Sequence, residues 1–228
     1  MLDEHPAPQN LAIGLNAKEQ VSGLLLVPHG AKACLVLAHG AGAGMAHPFM
    51  TSIAAGLHDR GIASLRYQFA YMEKGSRRPD GPALAHAAVR AAVREANLRC
   101  PDLPLFAGGK SFGGRMTSQA QADAPLPNVR GVVFLGFPLH PANKPSIERA
   151  RHLFDVGIPM LFLQGQRDAL ADARLMTDVA EELGVGATLV WFPDADHSFH
   201  VPARSGRTDE QVRSCILDGL VEWIMAHL

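Results

Sequence analysis

A chain of 228 residues, 47% apolar and 19% charged, has material for one sizeable core and lacks the composition of a disordered segment. Its formal charge of −1 argues against nucleic-acid binding through a general basic field. Three cysteines, Cys34, Cys100 and Cys215, make an odd count without C-x-x-C spacing, which argues against a disulfide framework or a thiolate metal site and suits a reducing compartment.

The opening "MLDEHPAPQN" has no basic segment followed by an apolar stretch, so no signal peptide is expected, and residues 1–17 read as an irregular segment. Strand candidates follow at 21–28, 33–40, 62–69, 104–110, 129–137, 158–165 and 187–193. From Cys34 onward they are nearly continuous Val/Leu/Ile/Phe runs, as in parallel strands covered on both faces. None of them can span a bilayer, so the chain is expected to be soluble and cytoplasmic, with no membrane partner. Helical stretches alternate with the strands near 48–60, 82–99, 112–122, 146–155, 172–183 and 209–227; Thr208 and Gln211 propose a capping box for the last. The alternation predicts a single α/β domain over 1–228, a mostly parallel, doubly wound sheet of about seven strands. The strand at 21–28 turns back through "PHGAK" and is expected antiparallel, at the sheet edge, beside the strand at 33–40. Only some twenty residues separate Phe137 from Ile158, too few for a cap domain.

The stretch "FAGGKSFGGR" at 106–115 admits two readings. A phosphate-binding G-x-x-x-x-G-K-[ST] loop needs a glycine where this chain has Pro104, and it would follow the first strand rather than the fourth. A G-x-S-x-G nucleophile elbow fits instead: a buried strand precedes, a helix follows, and Gly109 and Gly113 flank Ser111.

A serine hydroxyl needs a base, and the base needs a carboxylate. In "MLFLQGQRDAL", Asp168 lies just beyond a strand end; in "LVWFPDADHSF", His197 lies just past the last strand. All three therefore fall at the sheet edge where parallel α/β sheets carry their sites. Asp172 is the rival acid, and Glu181 and Glu182 are in order but late in a helix. The plainer readings make Asp168 a helix cap and His197 an ordinary histidine. Asp194, Asp196, His197 and His200 lack a second ligand set at metal spacing, so neither metal nor cofactor is expected.

An oxyanion hole needs two backbone donors. Phe112, after the nucleophile, is one; Ala41, in the glycine-rich turn "HGAGAGMAHPFM", is the expected second, with Gly42 next. The long loop "RYQFAYMEKGSRRPDG" at 66–81 follows a strand expected beside that of Ser111 and should overhang it. Its Tyr71, Arg77 and Arg78 are candidate substrate-binding residues for an acidic ester, against the plainer reading of a solvated loop with aromatic anchors. Lys110 is expected to point away along the strand end.

Together "LAHGAGAGMAHPFM", "RYQFAYMEKGSRRPD", "GGKSFGGRM", "LFLQGQRDAL" and "DADHSF" resemble the α/β-hydrolase superfamily. More closely they resemble its small branch typified by testis-expressed protein 30 and the third subunit of the non-specific-lethal complex, related in plan to dienelactone hydrolases. The resemblance implies a Ser111–Asp168–His197 triad and no particular substrate. Dienelactone hydrolases use a cysteine nucleophile, so their reaction does not carry over. The expected activity is that of a serine hydrolase cleaving a small acyl ester through an acyl-enzyme. Thioesterase or peptidase action shares the machinery, and the alternative is a silent scaffold serving as a protein-interaction subunit. Open sheet edges are common dimer surfaces, which admits a homodimer.

Overall fold

The computed structural model describes residues 6–76 and 78–228. Among them, eight strands form one sheet: β1 (Gln9–Gly14), β2 (Gln20–Leu26), β3 (Ala33–Ala38), β4 (Ile62–Tyr67), β5 (Leu105–Lys110), β6 (Val129–Leu135), β7 (Met160–Gly165) and β8 (Ala187–Phe192). Their order is β1-β2-β4-β3-β5-β6-β7-β8. The β1–β2 and β2–β4 pairs are antiparallel and every other pair is parallel.

Helices cover both faces, which is why β3, β4 and β7 are buried at every position. On one face, α1 (Pro48–Asp59) and α6 (Asp209–Ala226) pack Met50, Ile53 and Leu57 with Ile216, Leu220 and Trp223 over Leu35 and Leu37. On the other lie a short α2 (Ala70–Glu73), α3 (Pro82–Arg99), α4 (Phe112–Asp123) and α5 (Ala173–Leu183), with a 3-10 segment at Glu148–Asp155. The Thr208–Gln211 capping box starts α6 as the sequence predicts. That 3-10 segment is the sole helical element between β6 and β7, and no cap domain is inserted there. No helix among the described residues is long and apolar enough to cross a membrane.

Two features differ from the sequence reading. The segment expected to be irregular contains β1, the true edge strand. "QNLAIG" is short and only Leu11 and Ile13 turn inward. Its seat comes from β2, where a side chain at Gly23 would meet Ile13 Cδ1 at 2.7 Å. The second difference is neighbour choice: β2 pairs with β4, not β3. "ACLVLA" of β3 is apolar on both faces and takes the centre, whereas β2 alternates buried and part-exposed positions and suits the flank. β3 therefore separates β4 from β5, and the loop after β4 starts two strands away from Ser111.

Candidate active site

Ser111 sits between β5 and α4 with φ 50° and ψ −115°, a conformation costly for a residue with a side chain. The turn is pressed against β3. A Cβ on Gly109 would lie 2.4 Å from the Ala38 carbonyl oxygen, and one on Gly113 would lie 2.6 Å from that of His39. Only glycine fits at either flank, and the serine side chain is thereby lifted clear of the backbone.

His197 reaches it from the loop after β8. Its Nε2 lies 2.8 Å from Ser111 Oγ, and its Nδ1 lies 2.7 Å from Asp168 Oδ2. A carboxylate only accepts, so Nδ1 carries the proton and Nε2 is free to accept from the serine hydroxyl. Asp168 is buried in the turn after β7, where its Oδ1 accepts from the Leu170 amide at 2.7 Å and its Oδ2 also accepts from Gln164 Nε2 at 2.6 Å. The rival Asp172 caps α5 by accepting from the Leu175 amide at 3.0 Å. Glu181 and Glu182 are exposed late in α5.

The histidine loop is stiffened by Asp196, whose Oδ1 accepts from the amides of Ser198 at 2.7 Å and His200 at 3.0 Å. His200 itself pairs with Asp209 at 2.9 Å. No three His, Cys, Asp or Glu side chains cluster as a metal site among the described residues.

Ala41, Phe49, Met50, Lys110 and Leu170 line a cavity of about 430 Å³ that opens onto Ser111 and His197. The Ala41 amide donates to no protein acceptor among the described residues. The Gly42 amide, the other donor considered for this turn, is committed to the Tyr71 hydroxyl at 2.8 Å. Phe112 opens α4, where the first amides of a helix lack an intrahelical acceptor.

None of the described residues of the loop after β4 lines this cavity. Tyr71 is buried beneath the 39–47 turn, and burial raises the pKa of its phenol. Arg78 is exposed and lies outside the cavity lining; Lys74 pairs with Glu19 at 2.9 Å, near the β1–β2 turn. Arg77 lies outside the described residues. β3 intervenes between β4 and β5, and the described part of the loop meets the elbow through Phe69, whose ring packs edge-on against Phe112 with centroids 5.2 Å apart. Lys110 also departs from expectation: its side chain turns into the cavity, and its ammonium donates to the His197 carbonyl.

A family model described as an alpha/beta hydrolase domain matches residues 31–225. The chain belongs to that family. Solved structures share the fold. A dienelactone hydrolase from Anabaena variabilis is 23% identical with a TM-score of 0.75, the match covering 97% of this chain and 99% of that one. An α/β serine hydrolase homologue from Coxiella burnetii is 19% identical with a TM-score of 0.75, covering 93% and 97%. A lidless α/β serine hydrolase from Xanthomonas campestris is 22% identical with a TM-score of 0.73, covering 96% and 95%.

In this α/β-hydrolase, further side chains within the same segments support the site, though the sequence reading gave them no role. His39 is fully buried; its Nδ1 donates to the Gly40 carbonyl at 2.7 Å and its Nε2 accepts from the Phe69 amide at 3.2 Å. Burial lowers its pKa, which keeps this neutral tautomer in place. Gln68 accepts from the Met45 amide, and Arg66 donates to the Met45 carbonyl and to Thr51. The stretch 66–71 is thus the scaffold of the 39–47 turn. Gln164 bridges Asp168 to the Phe137 amide, which donates to its Oε1 at 2.8 Å. A polar residue inside the apolar run "MLFLQG" is the one sequence signal that points to it.

Proposed function

We propose that this α/β-hydrolase is a serine hydrolase that cleaves small acyl esters through an acyl-enzyme. The observation that carries the reading is the continuous hydrogen-bonded chain from Ser111 Oγ through His197 to buried Asp168. In the first half-reaction the Ser111 oxygen attacks the acyl carbonyl while His197 Nε2 takes the hydroxyl proton. The tetrahedral oxygen draws on the amides of Phe112 and Ala41, and the imidazolium returns its proton to the leaving alcohol. Water then repeats the sequence: its oxygen bonds to the acyl carbon as His197 takes its proton, the acyl–Ser111 bond breaks with that proton returned to Ser111 Oγ, and the free acid leaves. Asp168 holds the tautomer and offsets the imidazolium charge.

The cavity of about 430 Å³, walled by Phe49, Met50 and Leu170, suits a short acyl group. The uncapped sheet edge supports open access. The motifs that resemble the small testis-expressed-protein-30 branch support the same chemistry and name no substrate.

A fluorophosphonate probe tests the reading, because it phosphonylates only an activated serine. The expected result is one tag, on Ser111, abolished in Ser111→Ala together with hydrolysis of short p-nitrophenyl esters. A folded wild-type protein that takes no tag would instead be a silent scaffold, and the reading would fall.

A further inference from the structure

Lys110 is the final residue of β5 and the immediate neighbour of Ser111, yet no step of the hydrolytic cycle uses it. Its ammonium donates to the backbone carbonyl of His197, the base residue itself. It also faces two aromatic rings, with Nζ 6.0 Å from the Phe49 centroid and 5.5 Å from the Phe199 centroid. Those rings stack on each other 6.0 Å apart and nearly parallel, at 7°. Phe49 belongs to the first turn of α1, and Phe199 belongs to the histidine loop, where it holds φ 62°.

One side chain therefore joins three elements distant in sequence: the strand of the nucleophile, the helix after the 39–47 turn, and the loop of the base. Room for it comes from Gly136, where a Cβ would lie 3.0 Å from Lys110 Nζ and 3.5 Å from both Nδ1 and the carbonyl oxygen of His197. A positive charge fits the aromatic pair electrostatically, and cation–π attraction strengthens where water is excluded.

We propose that Lys110 is a positioning residue whose charged ammonium clamps the His197 loop against the nucleophile strand, setting the serine–imidazole geometry. The inference rests on the serine-hydrolase reading and adds an electrostatic condition to it: the clamp is strongest while the amine is protonated. Burial lowers the Lys110 pKa to about 8, with Asp168 and Asp196 acting in the opposite direction. His47, His197 and Ser198 also border the cavity it faces. Above pH 8 the neutral amine keeps donors but loses the cation–π attraction and the charge-assisted bond. The rate should then fall on the alkaline side.

The test is the rate of Ser111 phosphonylation by a fluorophosphonate across pH 6 to 10, in the intact protein. Wild type should slow above about pH 8. Lys110→Met should react roughly tenfold more slowly at pH 7, a typical cost of small misplacement, and lose the alkaline decline. Lys110→Arg, which stays charged throughout, should keep most of the rate and also lose the decline.

A Lys110→Met protein reacting at the wild-type rate, or retaining the decline, overturns the clamp while leaving the hydrolase reading intact. If Lys110→Met does not fold by circular dichroism, Lys110→Arg decides, and an unshifted decline in it overturns the clamp as well. Absence of any tag on wild type fails the hydrolase reading, and the clamp with it.

Discussion

The Tyr71 hydroxyl accepts a hydrogen bond from the Gly42 amide at 2.8 Å, one residue beyond the amide proposed to meet the oxyanion. On the proposed mechanism this bond gives Tyr71 a role through the backbone rather than by touching substrate. Removing the hydroxyl leaves the Gly42 amide without its acceptor and frees the turn to rotate Ala41 away. Loss of a whole oxyanion donor costs about 10²–10³ in rate, so a loosened one should cost roughly tenfold. Tyr71→Phe is expected to lower kcat for a short p-nitrophenyl ester by that amount with KM within about twofold. A raised KM with unchanged kcat would return Tyr71 to the substrate-contacting role that its place in the sequence suggests.

On the proposed mechanism, two aspartates four residues apart divide into chemistry and stability. Asp168 receives the imidazole, Gln164 and the Leu170 amide, whereas Asp172 receives the Leu175 amide at the head of α5. Asp168→Asn should lower kcat by about 10³–10⁴, because the amide favours the wrong imidazole tautomer. Asp172→Ala should leave kcat within about twofold and reduce stability by about 1 kcal/mol, as for other lost helix caps. Urea melts and ester kinetics on both variants check the division. A large kcat loss in Asp172→Ala would exchange their roles.

His152 supplies a pH dependence independent of the active site. It lies 2.7 Å from Ser118 Oγ, and burial, then Arg115 and His86, lowers its pKa to about 4, opposed by Asp155 and the Arg149 backbone. The ordinary value is about 6.5. Between those two values the unfolded chain binds a proton that the folded chain refuses, so stability falls as pH drops through this window. From pH 7 to 4.5 the loss due to His152 should be about 2 kcal/mol, allowing for its partial exposure. Urea midpoints for wild type and His152→Gln at the two pH values read the difference directly. Equal acid losses in the two proteins would show that the imidazole is not the source.

What can be read in the sequence is what local geometry dictates. Gly109 and Gly113 announce the elbow because only glycine fits against β3, and Asp168 and His197 stand just past apolar runs whose parallel strands end on one rim. Strand neighbours are not local. "ACLVLA" displaces β2 from the position beside it because it is apolar on both faces, so the strand that precedes the 66–81 loop lies two places from that of Ser111. The direction of Lys110 is hidden for the same reason: Phe49, Gly136 and Phe199, which shape its berth, are brought together only by the finished fold. β1 escapes notice because two inward residues make a weak alternation, and most of its support lies across the ladder in β2.

The backbone of Ser111 tests how much stability the elbow gives up for its shape. A φ of 50° with ψ of −115° is readily adopted by glycine and costs about 1–3 kcal/mol for any residue with a Cβ. Ser111→Ala keeps that Cβ and the strain, whereas Ser111→Gly removes both. Against the relief stands the larger freedom of glycine in the unfolded chain, worth about 0.5–1 kcal/mol. The glycine variant should therefore be the more stable of the two by about 1 kcal/mol, and both should be inactive. A thermal or urea melt of the pair isolates the backbone term, since neither variant retains the hydroxyl that His197 engages. An alanine variant as stable as the glycine variant would place the strain elsewhere in the turn.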